Sequence, residues 1–409
     1  RQAGQPNRQV IPSKPVGSGP ADPGGTPTAS GGDPAEINRP ENELATPADP
    51  NNHTITGLPG NGFTYDGGSD PAVAFDLAGR AFYGNVVFDR FLGSGAAVMV
   101  TQSPVGAGGS FFQTPTTFSR HYVIAEDNDP TVFHDKPFIT VDVSASSPNR
   151  DNVYVTWTLF RFDPNTGAQT QSPIYGSMST DHALTWSTPE LISGRSTTLC
   201  FFGNQFDPTL DPHACNQDSG SDPVALPNGD LAVVFNSGNS APGNPNSLQL
   251  GLHCKPSGSS PAGTAHLNCG APVKVGDDIT VAEPFCDFGR GPEQCIPGSY
   301  VRTSDFPRMA VNQGDGHLYA NWPDYRGGEY DIQVSRSTDG GLSWTESKLP
   351  ANQSRGLDHY QQAIDVVCKG PLARNNPMCR PSPDEGNGNG GANNQGTASL
   401  LCASGSAGT

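Results

Sequence analysis

The sequence predicts an all-β protein of the propeller type, and two observations support this. Glycine (50) and proline (39) together form about a fifth of the 409 residues, against roughly an eighth in average proteins. Long helices do not tolerate that content, because proline breaks a helix interior and glycine weakens it. In addition, short runs of β-branched and aromatic residues recur between Gly, Asn, Asp and Pro, as in strands joined by hairpins.

Four similar units carry these strand patterns. They begin near Asp70, Asp135, Asp222 and Asp305, so successive units start 65, 87 and 83 residues apart. Each unit is predicted to hold an inner strand, a turn and a second strand, and the spacing fits four-stranded blades with loop insertions. The predicted blades span residues 70–118, 135–193, 221–276 and 304–350.

A repeated motif marks two predicted hairpins. The pattern Ser-x-Asp-x-x-x-(Thr/Ser)-Trp occurs twice, 158 residues apart. The aspartate can accept backbone N–H groups inside a turn, a glycine supplies a positive φ, and the tryptophan packs the turn against the sheet. The motif residues are Ser179, Asp181, Thr185 and Trp186, and then Ser337, Asp339, Gly341, Ser343 and Trp344.

These motifs resemble the Asp-box (BNR) repeats of secreted, sialidase-like β-propellers. The resemblance extends from about residue 36 to about residue 364 and implies a six-bladed propeller. The first motif departs from the pattern, because His182 and Ala183 stand where the second motif has two glycines. The units at both ends of the chain are short, so the terminal blades are expected to be incomplete.

A candidate ligand site follows from the repeat alignment. The aspartates that begin the inner strands and the polar residues that follow the second strands should reach one face of the propeller. Arginine suits carboxylates and aspartate accepts hydroxyl protons, so this face could bind a sugar. Alternatively, each aspartate only caps a tight turn. The predicted ligand-binding residues are Asp89, Arg90, Asp135, Arg161, Asp222, Asp305, Asp324 and Arg326.

Catalysis is the less favoured hypothesis. The resemblance to sialidases implies an arginine triad, a Tyr–Glu nucleophile couple and an aspartate acid/base. Asp70, Tyr325 and Glu329 are the candidates, but the Arg-Ile-Pro segment of that family does not occur in the sequence. The sequence therefore favours an extracellular binding or assembly module, with a secreted glycoside hydrolase of the sialidase-like clan as the alternative.

The cysteines predict a secreted, disulfide-stapled protein. Eight of the nine form neighbouring pairs, and no Cys-x-x-Cys motif is present. Local pairs that close short polar loops are typical of disulfides in an oxidising compartment. The predicted bridges are Cys200–Cys215, Cys254–Cys269, Cys286–Cys295 and Cys368–Cys379. Cys402 is left over, as a free thiol or as a partner for another segment or chain.

The net charge of −17 argues against nucleic acid and anionic membranes as partners. No apolar run is long enough to span a membrane. No cofactor is predicted, although the acidic loops 276–278 and 127–129 could hold Ca²⁺.

The chain divides into a Gly/Pro-rich tail (1–35), the propeller (36–380) and a low-complexity segment (381–409). Two hypotheses concern the tails. They can pack on an adjacent subunit and so build a homo-oligomer or filament, or they can lie along their own propeller.

Overall fold

The computed structural model describes residues 67–88, 95–106, 121–204, 207, 209–238, 246–260, 264–280, 283–287, 292–296, 301–347 and 356–366. Within these ranges the chain forms strands, turns and bends, with no helix. No helix in the described ranges is therefore a candidate membrane span. The all-β prediction is confirmed. Several predictions fall on residues outside the described ranges. These are both predicted tails, the ligand residues Asp89 and Arg90, and the cysteines Cys368, Cys379 and Cys402.

In the described ranges, twenty strands form five antiparallel sheets, here numbered in chain order. The first sheet has β1 (Gly67–Phe75), β2 (Ala81–Phe88), β3 (Ala96–Ser103) and β4 (His121–Asp127). The second sheet has β5 (Val132–Val141), β6 (Val153–Phe162), β7 (Gln169–Gln171), β8 (Ile174–Ser179) and β9 (Glu190–Leu191). The third sheet has β10 (Asp218–Ala225), β11 (Leu231–Ser237), β12 (Ser247–Cys254) and β13 (Val273–Asp278).

The remaining two sheets differ in size. The fourth sheet is small and has β14 (Phe285–Asp287), β15 (Pro292–Ile296) and β16 (Val301–Arg302). The fifth sheet has β17 (Arg308–Val311), β18 (Leu318–Asp324), β19 (Asp331–Ser337) and β20 (Thr345–Ser347). The small fourth sheet lies between the third and fifth in the chain and was not predicted.

The four larger sheets are arranged like blades. Within each, strands follow one another outward in chain order, apart from the short β7, which pairs only with β6. Their first strands are neighbours in space, β1 beside β5, β5 beside β10 and β10 beside β17. The predicted blades coincide with these sheets, except that β4 lies beyond the predicted end of the first blade at residue 118. Six blades stay a prediction, because the described part holds four blade-like sheets.

The core lies between neighbouring sheets. Strand β6 is buried on both faces: Val155 packs toward the first sheet, whereas Tyr154 packs toward the third. Strand β11 does the same, because Val233 faces the second sheet and Val234 faces the fifth. Side chains alternate across a strand, so burial on both faces accounts for the continuous apolar runs in the sequence.

Three inner strands contain the same β-bulge, and it corrects the repeat alignment. The register shifts between Ser69 and Ala72 in β1, and at the corresponding places in β5 and β10. The bulged positions with left-handed φ are Asp70 (53°), Lys136 (53°) and Gly220 (68°). Asp135 therefore precedes the bulged position and Asp222 follows it by two residues. The aspartates aligned by sequence occupy different structural positions.

The two Ser-x-Asp turns share one set of hydrogen bonds. Ser179 Oγ accepts the Ala183 N–H at 2.8 Å, and Ser337 Oγ accepts the Gly341 N–H at 2.8 Å. Each motif aspartate accepts the backbone N–H four residues later at 2.9 Å, from Thr185 or Ser343. Trp186 packs on the core between the first and second sheets, and Trp344 on that between the third and fifth.

Three disulfides occur within the described residues. They join Cys200 to Cys215, Cys254 to Cys269 and Cys286 to Cys295. Each matches a pair predicted from its short spacing. The last of them links β14 to β15 and so closes the hairpin of the small fourth sheet. Three disulfides are consistent with a secreted protein.

Candidate functional site

An open pocket of about 520 Å³ lies beside the bulges of β5 and β10. Its size is in the range of small-molecule sites, roughly 300–1,000 Å³. Aromatic rings, amides, carboxylates and two cationic side chains line it together. The lining residues are Asp135, Lys136, Phe160, Gln169, Ser172, Phe202, Gln217, Asp218, Ser219, Asn236, Gly238, Arg302 and Phe306.

Three phenylalanines give the pocket its apolar surface. Phe160 lies near the end of β6 and stacks on Phe162, with ring centroids 6.3 Å apart. Phe306, just before β17, covers Gly220, where a Cβ would lie 2.3 Å from the ring. Gly220 is therefore needed both for its positive φ and for the close approach of this ring. Phe202 is 38 % exposed, which leaves its ring accessible to a ligand.

Both cations of the pocket are paired with carboxylates. Lys136 Nζ lies 2.9 Å from Asp135 Oδ2, and Arg302 forms a salt bridge with Glu293. Lys136 also lies over the Phe306 ring, 5.3 Å from its centroid. Since each charge has a local partner, the pocket does not present an uncompensated positive charge to a ligand.

Two aspartates line this pocket, the buried Asp218 and the partly buried Asp135. Burial raises the pKa of Asp218 to about 8, opposed by hydrogen bonding from Ser237 and Ser193, so this carboxyl is mostly protonated at neutral pH. Burial also raises the pKa of Asp135; Lys136 opposes the rise and the nearby Asp70 adds to it. The structure thus brings the predicted Asp70 and Asp135 together.

Asp222 is separate from the pocket. It is buried, and its Oδ2 accepts the Met309 N–H at 2.9 Å. Burial raises the pKa of Asp222 to about 6, with Arg308 opposing the rise. The guanidinium of Arg308 lies 4.7 Å from the centroid of Phe138. The predicted ligand residue therefore holds β17 against the third sheet.

A cluster of acidic side chains lies where the small fourth sheet meets the third and fifth. One carboxylate oxygen from each of Asp278, Glu283 and Asp305 lies within 4.8 Å of the others. Asn236, a pocket residue, donates to Asp278 Oδ2 at 2.5 Å. Gln294 donates to Asp305 Oδ2 at 2.9 Å and also to Glu283. The amides thus connect this cluster to the pocket and to β15.

Asp324 and Arg326 contact each other. Arg326 Nε donates to Asp324 Oδ2 at 2.8 Å, and Arg326 Nη1 pairs with Glu346 at 2.5 Å. Arg326 Nη2 donates to the Asp277 carbonyl at 2.9 Å. Burial raises the pKa of Asp324 despite the opposing effect of Arg326. These two predicted ligand residues form an internal ion pair.

Tyr325 and Glu329 have different partners. The Tyr325 ring packs edge-to-face on Tyr330, with centroids 5.0 Å apart, and Glu329 accepts the Gly356 N–H. Within the described residues no hydrogen bond joins the Tyr325 hydroxyl to Glu329. The Tyr–Glu couple that the sequence suggested is therefore not assembled here. Arg161 is exposed at the end of β6 and does not line the pocket.

No protein-family model matches the chain, and a search of curated proteins finds no match. Solved structures match it at low identity. A protein of unknown function from Dyadobacter fermentans is 12% identical, with a TM-score of 0.43, over 68% of this chain and 67% of that one. The polysaccharide lyase Uly1 is 13% identical, with a TM-score of 0.37, over 74% and 53%.

A third match is the catalytic domain of the GH62 alpha-L-arabinofuranosidase of Coprinopsis cinerea. It is 10% identical, with a TM-score of 0.33, over 69% of this chain and 68% of that one. Glycoside hydrolases and polysaccharide lyases thus occur among the matches, a wider group than the sialidase-like family that the sequence suggested.

Sequence reasoning missed several residues of the site. Phe160, Phe202 and Asp218 lie outside the aligned Asp-Pro positions. Gln294 belongs to the unpredicted fourth sheet, and Glu283 lies just before it. One feature of the sequence could have identified Asp218. It stands four residues before Asp222, at the start of the inner strand of its unit. The phenylalanines have no such feature, since they meet only when the sheets pack together.

Proposed function

We propose that the chain is an extracellular carbohydrate-binding β-propeller and that the pocket between its second and third sheets takes a neutral saccharide. The observation that carries this is the lining itself, in which exposed aromatic surface lies beside amides and carboxyls. Carboxylates accept hydroxyl protons and amides both donate and accept, which is what a ring bearing several hydroxyls requires. Aromatic surface suits the apolar face of such a ring.

The charges of the pocket favour a neutral ligand over an anionic one. Lys136 is held by Asp135 at 2.9 Å, and Arg302 is held by Glu293. An anionic sugar would have to displace these partners, leaving a carboxylate unpaired. This distinguishes the site from the arginine triad implied by the resemblance to sialidases. Membership of the sialidase-like group stays part of the proposal, supported by the shared hydrogen bonds of the two Ser-x-Asp turns.

A glycan array probed with the full chain, followed by calorimetric titration of the best neutral oligosaccharide, tests this function. We expect Phe202→Ala to weaken binding about tenfold, since truncating an aromatic anchor commonly costs more than 1 kcal/mol. Phe75→Ala is the matched control, because Phe75 is 56 % exposed but lies outside the pocket. Binding that is equal in both variants, or restricted to anionic glycans, would contradict the proposal.

Glycoside hydrolysis is the second candidate, and the protonation of Asp218 favours it. Hydrolysis of a glycosidic bond uses two carboxyl groups, one of which gives a proton to the leaving oxygen. Burial favours the protonated form of Asp218, and Asp135 is a second carboxyl on the same pocket; both oxygens of Asp218 are buried, so proton transfer would require the pocket wall to open. Release of reducing sugar by the wild type, lost in Asp218→Asn with binding retained, would identify an enzyme. Binding without turnover identifies a binding module.

A further inference from the structure

The acidic cluster is buried and has no basic partner within the described ranges. Asp278, Asp305 and Glu283 have relative exposures of 0%, 3% and 6%. No lysine, arginine or histidine forms a salt bridge with any of the three among the residues that the structure describes. Burying several carboxylates without a counter-charge is costly, so such groups are expected to bind a cation or a proton.

Each member of the cluster also has an oxygen without a donor. Within the described ranges no N–H group or hydroxyl reaches Asp278 Oδ1, Glu283 Oε1 or Asp305 Oδ1. The second oxygen of each carboxylate is held by an amide, from Asn236 or Gln294. Buried polar atoms are almost always satisfied, so an orphaned oxygen on each of the three neighbouring carboxylates indicates a missing partner.

We propose that Asp278, Glu283 and Asp305 form a binding site for a hard divalent cation, with Ca²⁺ as the best match. All three ligands are carboxylate oxygens, which Ca²⁺ prefers, and there is no thiolate or imidazole of the kind that zinc sites use. The spacing of the three oxygens, within 4.8 Å, is compatible with one ion bound at about 2.3–2.6 Å from each.

The surrounding amides act as positioning residues. Asn236 and Gln294 each donate to the carboxylates, and such outer contacts orient metal ligands. The same Asn236 lines the saccharide pocket, so an ion would fix one wall of that pocket. It would also join three sheets, because Asp278 ends β13, Glu283 precedes β14 and Asp305 precedes β17. The proposal does not depend on the function assigned to the pocket.

The sequence singled out two acidic loops for calcium, and the structure separates their members. Asp278 of the first loop belongs to the cluster, whereas Asp277 is about half exposed and pairs with Lys274 at 2.6 Å. In the second loop, Asp127 Oδ2 lies 2.9 Å from His134 Nε2, within hydrogen-bond distance. Asp129 accepts a hydrogen bond from the Thr131 N–H. The second loop therefore does not present converging ligands.

The test is metal content and metal binding of the full chain. Inductively coupled plasma mass spectrometry gives the metals before and after chelation, and CaCl₂ is then titrated into the chelated protein by calorimetry. We expect one Ca²⁺ per chain and a higher Tm with calcium, because a ligand bound only by the folded state stabilises it. Tb³⁺ is a second probe, since Trp322 lies close by, donating to the Asp277 carbonyl at 3.2 Å.

Asp305→Asn should lower calcium affinity about tenfold or more, since loss of even an outer contact to a metal ligand commonly costs about 10–100-fold. The matched control is Asp277→Asn, which changes an exposed carboxylate next to Asp278 and should leave affinity unchanged. Glu283→Gln serves if Asp305→Asn fails to fold. No metal in the purified protein together with no saturable Ca²⁺ or Tb³⁺ binding overturns the proposal, as does equal calcium affinity in Asp305→Asn and the wild type.

Discussion

The second and fifth sheets are built alike at one end and differently at the other. Both contain a Ser-x-Asp turn with the same hydrogen bonds, between β8 and β9 and between β19 and β20. They differ where the inner strand begins and the second strand ends. The second sheet has a bulge, the Asp135–Lys136 ion pair and an exposed Arg161. The fifth has Asp305 in the acidic cluster and Arg326 paired with Asp324.

The turns of a blade are determined by residues close together in the chain. A turn that satisfies its own backbone N–H groups keeps its geometry in either sheet, whatever surrounds it. The strand ends are set by neighbours instead. Asp135 meets the open pocket, whereas Asp305 meets the small fourth sheet. Equivalent positions in the repeats therefore have different neighbours and different charge partners.

The largest expected difference between the sheets is in their arginines. Arg326→Met should cost about 2 kcal/mol of unfolding free energy, because it leaves the buried Asp324 without a cation. This is less than a fully buried pair would give, since the Arg326 side chain is 31% exposed. Arg161→Met should change stability by less than about 0.5 kcal/mol. Urea denaturation of both variants measures the difference.

A double variant checks the cause. If the penalty comes from the stranded carboxylate, then Arg326→Met combined with Asp324→Asn should be more stable than Arg326→Met alone. Equal stability of the two would mean that Arg326 contributes through packing of its stem, and the comparison between the sheets would lose its electrostatic basis.

A smaller effect is expected from exchanging the turn residues. Gly341 has φ +91° and a Cβ there would lie 3.3 Å from Leu318 Cδ1, so Gly341→Ala should cost about 1–2 kcal/mol. Ala183 already adopts φ +63° and is buried. Ala183→Gly should therefore change stability by less than about 1 kcal/mol, because relief of strain offsets the lost methyl burial and the added chain entropy. Thermal unfolding of both variants compares the turns; similar losses in each would contradict this account.

These comparisons also show what the sequence could reveal. The two turns and the local disulfides were predictable, since each depends on residues within a few positions of one another. The pocket was not, because Phe160, Phe202 and Phe306 meet only through sheet packing. Proximity in sequence was misleading for Tyr325 and Glu329, which lie four residues apart but contact Tyr330 and Gly356 instead.

Repeat alignment failed for a related reason. Asp70, Asp135 and Asp222 share an Asp-Pro-like pattern, yet a one-residue bulge changes which position adopts the left-handed conformation. A bulge is decided by pairing with the next strand, so the inner-strand pattern alone does not place it. The proximity of Glu283 and Asp305 was also not predictable from the sequence, because it depends on the small fourth sheet that lies between them in the chain.

The smallest expected effect is on stability at acid pH, to which the aspartates of the two turns contribute unequally. Burial raises the pKa of both Asp181 and Asp339, but hydrogen bonds from Thr185 or Ser343 outweigh it and lower the pKa below its ordinary value. A carboxyl whose pKa is lower in the folded state adds stability above its unfolded pKa, and that stability is lost as the pH falls through the folded pKa. Unfolding free energy should thus fall below about pH 4.

Single variants Asp181→Asn and Asp339→Asn isolate these contributions, because asparagine keeps an oxygen to accept the backbone N–H groups. Each variant should be less stable than the wild type at pH 6, by under about 1 kcal/mol since both sites are largely solvated. The difference should shrink as the pH falls and the wild-type carboxyl becomes protonated. Asp181 is the more buried of the two, so its variant should show the larger change. A deficit in Asp339→Asn that is larger, or constant from pH 6 to 2, would contradict the assignment of this effect to the turn carboxylates.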